Sequence, residues 1–328
     1  MSLRALLRAL DPARSLPVAE LARRSGLAPA AVRAQLARAR GLGVAIEARR
    51  GAGYRLARDL DLLDAAALQR ALSAPARRLL ATLEVALTID STSSELLRRA
   101  AAGAPAGTVL LAEHQHAGRG RRGRAWHSPF AAQVCLSVLW RFEQGPAALA
   151  GLSLAMGVAV QRTVAQPGGA AIALKWPNDV VADGRKLAGV LVEAGGEPSG
   201  PCHAVVGVGL NVQLAAGQGA AIDQPWIDLA TLPGASRPPR TALATALVDG
   251  ILPALDRYAR EGLAPFLAEW RRSDALAGCE VELVEGARRE TVTVLGVDAQ
   301  GRLRVRDAAG RERAVSSAEF GRRAATRA

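Results

Sequence analysis

The hydrophobic period changes along this chain, and each change limits what can fold. Residues 2–10 set Leu and Ala against Arg at helical spacing, and Asp11-Pro12 ends that helix. After Ser273 the pattern turns to period two, in Val281-Glu282-Leu283-Val284, Thr291-Val292-Thr293-Val294 and Leu303-Arg304-Val305-Arg306. Between them, residues 83–270 mix strands (Thr108–Glu113, Val134–Trp140, Ala170–Lys175, Lys186–Glu193, Ala204–Asn211) with helices near 91–102, 147–166 and 240–270. An Ala/Leu-rich helix over 62–80 bridges the first region to the second. One regular packing cannot bury all three patterns, and 328 residues is long for one domain. The expectation is an α+β chain of three units. Residues 1–62 are helical with two short strands, 63–270 surround a mostly antiparallel or mixed sheet, and 271–328 form a small β-barrel.

Charge follows the same partition. Residues 1–60 carry twelve arginines against Asp11, Glu20, Glu47 and Asp59, which is +8 of the total +12 and leaves +4 for the rest. A coding bias toward arginine would act along the whole chain, so the asymmetry points to a nucleic-acid-binding module. A helix over Val18–Arg24, a break at Ser25-Gly26 and a third helix from Pro29 give Ala22, Gly26 and Val32 the spacing of a helix-turn-helix. Val44–Ala48 and Tyr54–Leu56 read as strands around the basic turn Arg49-Arg50-Gly51-Ala52-Gly53. The DNA-contacting candidates are the Val18–Ala37 segment, with Arg33, Gln35 and Arg38, and Arg49 and Arg50 of the turn; the bland alternative is a generic helical bundle.

Of 42 basic residues only two are lysines, Lys175 and Lys186, and both fall in one short segment. A lysine kept where arginine serves everywhere else points to a site that needs a compact ammonium. The segment Lys175-Trp176-Pro177-Asn178-Asp179, then Asp183-Gly184 and Lys186–Glu193, reads as a hairpin that sets Asn178 and Asp179 between the two lysines. Upstream, Gly118-Arg119-Gly120-Arg121-Arg122-Gly123-Arg124-Ala125-Trp126 contains a formal GxGxxG. It opens no helix, and Glu143 is the only acid near the ribose-binding position, so the dinucleotide reading fails. Four arginines among three glycines instead present cations and backbone N–H groups to phosphates. Gly207-Val208-Gly209-Leu210-Asn211-Val212 is a strand whose glycines admit a ligand, and Asp90-Ser91-Thr92-Ser93-Ser94 opens a helix with hydroxyls that cap it or bind a polar group.

Taken together and in order, these segments resemble the biotin–protein ligase family in its bifunctional biotin operon repressor form. The resemblance covers nearly the whole chain. It implies a winged helix-turn-helix at 1–62, a class II synthetase-like ligase domain at 63–270 and an SH3-like barrel at 271–328. It implies biotin contacts from Ser91, Thr92, Ser93, Gln115, Arg119, Gly120, Arg121 and Lys186, and an ATP or adenylate site at Gly118, Arg124, Trp126, Lys175, Asn178, Asp179, Asn211 and Trp226. Lys186, Arg121 and Asp179 would carry catalysis, with Asp179 the Mg²⁺ ligand. Two departures stand out: Ser93 where the family often has asparagine, and Ala28-Pro29 in place of a capping serine before the third helix.

The resemblance also implies an ATP-dependent ligase that makes biotinoyl-AMP, biotinylates a lysine of a biotin carboxyl carrier protein and, bound to that adenylate, represses transcription as a dimer on operator DNA. The residues agree: no Ser-His-Asp or Cys-His nucleophile set is visible, whereas cations for a phosphate are abundant. His114 and His116 alternate on a strand and read as structural. Two rivals stay open, a lipoyl or octanoyl ligase or transferase on a related body and a ligand-sensing repressor without catalysis. Cys135, Cys202 and Cys279 have no metal-ligand spacing, Met1-Ser2-Leu3-Arg4 runs into a charged helix, and the apolar stretch Ala147–Val160 is too short to cross a bilayer, so a soluble cytoplasmic protein away from membranes is expected.

Overall fold

The computed structural model describes residues 3–165, 169–197, 200–215, 217–234, 238–321 and 326–327. The N-terminal unit packs α1 (Leu3–Ala9), α2 (Val18–Ser25) and α3 (Pro29–Gly41) beside an antiparallel pair, β1 (Ile46–Arg49) and β2 (Gly53–Leu56). Leu6, Leu21, Val32, Leu36 and Ala39 fill its centre. The turn between α2 and α3 requires Gly26, whose φ is +67°. This core does not close on itself: Phe130 is one of its buried members, and Leu87 and Ala131 pack against it.

Where one helix is expected over 62–80 there are two, α4 (Ala65–Ala71) and α5 (Ala74–Leu79). Leu72 is extended, and Ser73 caps the second helix at its Pro75-containing start. Proline is accommodated in a first turn and not in the middle of a helix, which explains the break.

The body is built from β3 (Thr82–Ala86), α6 (Thr92–Ala101), β4 (Thr108–Ala112), β5 (Gln133–Phe142), α7 (Leu152–Val164), β6 (Ile172–Lys175), β7 (Asp179–Ala182), β8 (Arg185–Gly196), β9 (Cys202–Asn211), α8 (Arg240–Glu261) and α9 (Ala264–Arg272). Its seven strands run β3-β4-β5-β9-β8-β7-β6, with β3–β4 parallel and every other neighbour antiparallel, so the sheet is mixed. Alternation divides its two faces. Val134, Leu136, Val138 and Trp140 of β5 and Ala204, Val206, Val208 and Leu210 of β9 join α7, α8 and α9 in the large core. Leu139 and Val205 point the other way, under Leu96 and Ala100 of α6.

The expected 147–166 helix starts late. A short 3-10 turn over Pro146–Leu149 precedes Gly151, whose φ of +83° breaks the path, and residue 166 lies outside the described residues. A Cβ at Gly151 would stand 2.5 Å from Leu263 Cδ2, so the glycine allows close packing there. The 240–270 helix is likewise divided, at Gly262 and before Pro265. By length and composition Pro146–Val164 could cross a membrane, but Leu154–Val160 are buried in the core against the sheet.

The C-terminal unit is an antiparallel sheet of β10 (Cys279–Glu285), β11 (Arg288–Val297), β12 (Leu303–Arg306), β13 (Glu312–Val315), β14 (Glu319–Phe320) and β15 (Thr326–Arg327). Tight turns at Asp298–Gly301 and Asp307–Gly310 use the aspartate side chains to accept main-chain N–H bonds. Its buried residues are continuous with the body's core, and the Trp176 indole donates to the Gly301 carbonyl at 3.0 Å.

Candidate functional site

On the α6 face of the sheet lies a cavity of about 260 Å³. Glycines make the room for it. On β9 the pocket-facing positions are Gly207 and Gly209; a Cβ at 207 would stand 2.5 Å from Ser93 Oγ and one at 209 would stand 2.4 Å from the Trp126 ring. Gly189, opposite Gly209 on β8, leaves space for the Lys186 side chain. Period two thus turns most β9 aliphatic side chains to the core and sets glycines toward the cavity, whose lining also includes Leu136, Val190, Leu191 and Val208.

The floor is made of hydroxyls and one amide, all buried. Ser91 caps α6, its Oγ accepting from Ser94 N, which is the helix-capping role. Thr92 donates from N (2.8 Å) and Oγ1 (3.1 Å) to Gln115 Oε1, and its Oγ1 also lies 2.8 Å from Ser137 Oγ. Ser93 Oγ reaches the same Ser137 at 2.9 Å. Ser137 was missed in the sequence; the available signal was a lone hydroxyl in the apolar run Val134–Trp140.

The mouth is the arginine loop. Trp126 N donates to Gly118 O at 2.9 Å and Gly120 N to Arg124 O at 2.7 Å, which folds residues 118–126 back on themselves. A Cβ at Gly118 would stand 2.6 Å from Trp126 O. Arg119 pairs with Glu193 at 2.7 Å and Arg121 reaches Asn178 Oδ1 at 3.5 Å. Arg122 and Arg124 reach the C-terminal unit, meeting Ser317 Oγ (2.9 Å) and Glu319 Oε1 (2.7 Å), and of the two only Arg124 also lines the cavity. Burial, then repulsion from Arg122, lowers the Arg121 guanidinium from its ordinary value.

Lys186 stands between floor and mouth. The hairpin turn that delivers it has Asp183 and Gly184 at φ of +51° and +66°, the two-residue turn expected of Asp-Gly. Its Nζ lies 2.8 Å from Asp179 Oδ1 and 5.5 Å from the centre of the Trp126 ring. Lys175 behaves differently: its ammonium sits 5.4 Å over the Phe320 ring, outside the cavity lining. Burial pushes its pKa down and Lys186 adds to that, against Asp179.

The cavity therefore brings together Ser91, Thr92, Ser93, Gln115, Arg119, Gly120, Arg121, Arg124, Trp126, Asn178, Asp179 and Lys186. Gly118, Lys175, Asn211 and Trp226 of the expected set are not in its lining. Asn211 stands behind it, donating to the carbonyls of Lys186 and Ile227. Trp226 runs beside Lys186 through its backbone, while its ring packs on Gly219. Ala221, Asp223 and Gln224 line the cavity in its place, and nothing in their local pattern announced them. No group of three His, Cys, Asp or Glu suited to a metal exists among the described residues, and His114 Nδ1 bonds the Ser128 carbonyl.

The biotin/lipoate A/B protein ligase family matches residues 85–211. The bifunctional ligase/repressor BirA of Salmonella typhimurium is 36% identical over 284 residues, covering 87% of this chain and 86% of that protein. The biotin–[acetyl-CoA-carboxylase] ligase of Mycobacterium tuberculosis is 38% identical over 245 residues, covering 72% and 87%. Among solved structures, the biotin protein ligase of Aquifex aeolicus in complex with biotin and ATP superposes with a TM-score of 0.59 at 25% identity, over 74% of this chain and 98% of that one. A chain with this sheet, this cavity and relatives this similar over most of its length belongs to the BirA-type biotin protein ligases of the biotin/lipoate ligase family.

Proposed function

We propose that this protein activates biotin with ATP, releasing pyrophosphate, and transfers the biotinoyl group from the adenylate to a lysine amine of a biotin carboxyl carrier protein, releasing AMP. The observation that carries the reading is the single compact ammonium of Lys186, held by Asp179 between a hydroxyl floor and an arginine mouth. The floor suits the polar head of biotin, whose donors and acceptors can match Ser91, Thr92, Ser93 and Gln115. A lipoyl or octanoyl head has no such groups and would gain no hydrogen bonds from this floor, which disfavours that rival.

In the first step a carboxylate oxygen attacks the α-phosphorus of ATP and the bond to pyrophosphate breaks. Lys186 is placed to hold the carboxylate and then the acyl phosphate, while Arg119, Arg121 and Arg124 offset the negative charge on the phosphates. Trp126, Asn178 and Asp179, backed by Asn211, form the nucleotide end; Gly118 lets the loop close, and Lys175 and Trp226 support Asp179 and Lys186 from outside. In the second step the carrier's amine attacks the acyl carbon and AMP leaves. Asp179, whose Oδ1 is ion-paired with Lys186 at 2.8 Å, is the one cavity carboxylate beside Asn178 and Arg121 and would be the ligand for a Mg²⁺ carried in by ATP. Such an ion would neutralise phosphate charge. Catalysis is assigned to Lys186, Arg121 and Asp179.

The N-terminal unit, residues 1–62, is proposed as a winged helix-turn-helix, with 63–270 the ligase domain and 271–328 an SH3-like barrel. In support, Arg33, Arg38 and Arg50 are exposed without an ion pair among the described residues, whereas Arg23 and Arg24 of α2 are paired with Glu20. Free cations on α3 and on the β1–β2 turn suit DNA phosphates. A ligand-promoted homodimer on operator DNA, acting as a repressor in the cytoplasm, completes the proposal. Pyrophosphate release tests the ligase: it should require ATP with biotin and should not occur with lipoate or octanoate. Gel shifts with and without biotin plus ATP test the repressor, and full-length protein that binds DNA no better than a 63–328 fragment would remove that half.

A further inference from the structure

Gln133 opens β5 and is buried to 2% exposure, yet both ends of its amide are used. Its Oε1 accepts from the Trp126 indole N–H at 3.1 Å, and its Nε2 donates to Asn211 Oδ1 at 2.8 Å. Asn211 donates in turn to the carbonyls of Lys186 at 3.3 Å and Ile227 at 3.0 Å. The amide is not in the cavity lining. One buried side chain therefore touches the aromatic wall of the cavity and, one residue on, the main chain that carries Lys186. A leucine here would strand the Trp126 indole N–H and Asn211 Oδ1, so the matched amide satisfies both partners and fixes their direction.

Gln133 is itself clamped. Its carbonyl accepts two hydrogen bonds from the Arg240 guanidinium, Nε at 3.0 Å and Nη2 at 2.5 Å. The same guanidinium pairs with Glu113 at 2.7 Å, the two side chains being 3% and 0% exposed. Glu113 Oε1 accepts from Leu63 N at 2.7 Å, and Arg240 Nη1 donates to Asp61 O at 2.6 Å. Desolvating such a pair is costly and adds little stability, but its fork geometry fixes direction.

We propose that Gln133, clamped by the Arg240–Glu113 pair, is a positioning residue for adenylation, setting the plane of Trp126 and, through Asn211, the backbone of Lys186. The inference rests on the ligase reading for its kinetics and on geometry alone for its spectroscopy. Gln133→Leu, close in volume, removes both amide contacts. It should raise KM for ATP about tenfold and KM for biotin clearly less, because the Trp126 contact is direct and the Lys186 contact runs through Asn211. In a Trp126→Phe background the same substitution should have no further effect on KM for ATP through the lost indole bond. Independently, the Trp126 indole resonance in ¹⁵N-tryptophan protein, assigned by its loss in Trp126→Phe, should be protected from solvent exchange in the wild type and exposed in Gln133→Leu. If Gln133→Leu does not fold, Arg240→Lys keeps the charge and loses the fork, and should give the same pattern more weakly. An equal rise in both KM values, effects that add in the two backgrounds, or an unmoved indole resonance would overturn the proposal. Absence of pyrophosphate release by the wild type would sink the ligase reading instead, and the indole resonance would still decide the positioning claim.

Discussion

The hydroxyl floor and the arginine mouth close opposite ends of one cavity, yet different forces hold them. In the floor, Thr92, Ser93, Gln115 and Ser137 are buried and mutually hydrogen-bonded before any ligand arrives. In the mouth, Arg119, Arg122 and Arg124 are held by partly exposed ion pairs to Glu193 and Glu319. Buried networks are rigid because every broken bond strands a polar group, whereas exposed pairs are worth about 0–1 kcal/mol and exchange readily with phosphate. Recognition is built into one end and left to closure at the other.

Lys186 belongs to both ends, so its loss should have the largest effect. Lys186→Ala should lower biotin-dependent pyrophosphate release at least a hundredfold or so, and Lys186→Arg should recover little of it, because a planar fork cannot replace a compact donor between Asp179 and Trp126. Near wild-type release by the arginine variant would undo the argument from lysine scarcity.

The floor comes next. Ser137→Ala takes away the shared partner of Thr92 and Ser93 and should cost about 1–3 kcal/mol of biotin binding, on the order of tenfold or more in KM for biotin, with KM for ATP unchanged. Equal changes in both constants would mean that the floor is only structural. At the mouth, Glu319→Ala releases Arg122 and Arg124 from the C-terminal unit and should change kcat or KM for ATP by about fivefold at most, less in high salt. Limited proteolysis should find residues 118–126 more readily cut in that variant and protected again with biotin and ATP. A large effect independent of salt would make the mouth as preorganised as the floor.

Asp274 should leave the rates alone and move only stability. It lies where β6 meets the C-terminal unit; burial raises its carboxyl to about 6, Oδ1 accepts from Leu276 N and Oδ2 has no partner among the described residues. Because the folded value is raised, the stability it contributes is full below about pH 4, where the carboxyl is neutral in both states, and is lost as pH rises through about 6. Asp274→Asn should therefore melt higher than wild type at pH 8, with the gap closing toward pH 4. A constant gap would show that charge is not the cause.

Much of this was legible because it depends on period or on rarity. The α1–α3 stripe, the mixed strands of the body and the late period-two strands all came through as burial patterns. The two lysines stood out by scarcity, although only Lys186 reaches the cavity. The break at Gly151 was lost because it answers to a distant neighbour, Leu263, inside an apolar run, whereas Gly262 and Pro265 marked the second break locally. Ser137 and Gln133 were lost for a related reason. Ser137 meets Ser93 from 44 residues away, and Gln133 meets Asn211 from 78 residues away on the neighbouring strand, so no local pattern encodes these bonds.

Phe130 in the core of the N-terminal unit has a consequence for DNA. The body's own side chain is a buried member of that core, and Arg4 of α1 donates to the Leu63 and Val85 carbonyls, so the unit is mounted on the body. In the proposed dimeric repressor, the two proposed recognition helices, mounted this way, would stand at a set distance and a set angle around the duplex. Two half-sites must then share one helical phase. Moving them apart by about five base pairs, half a turn, would turn one half-site to the far side of the duplex, and a mounted unit has no slack with which to follow it.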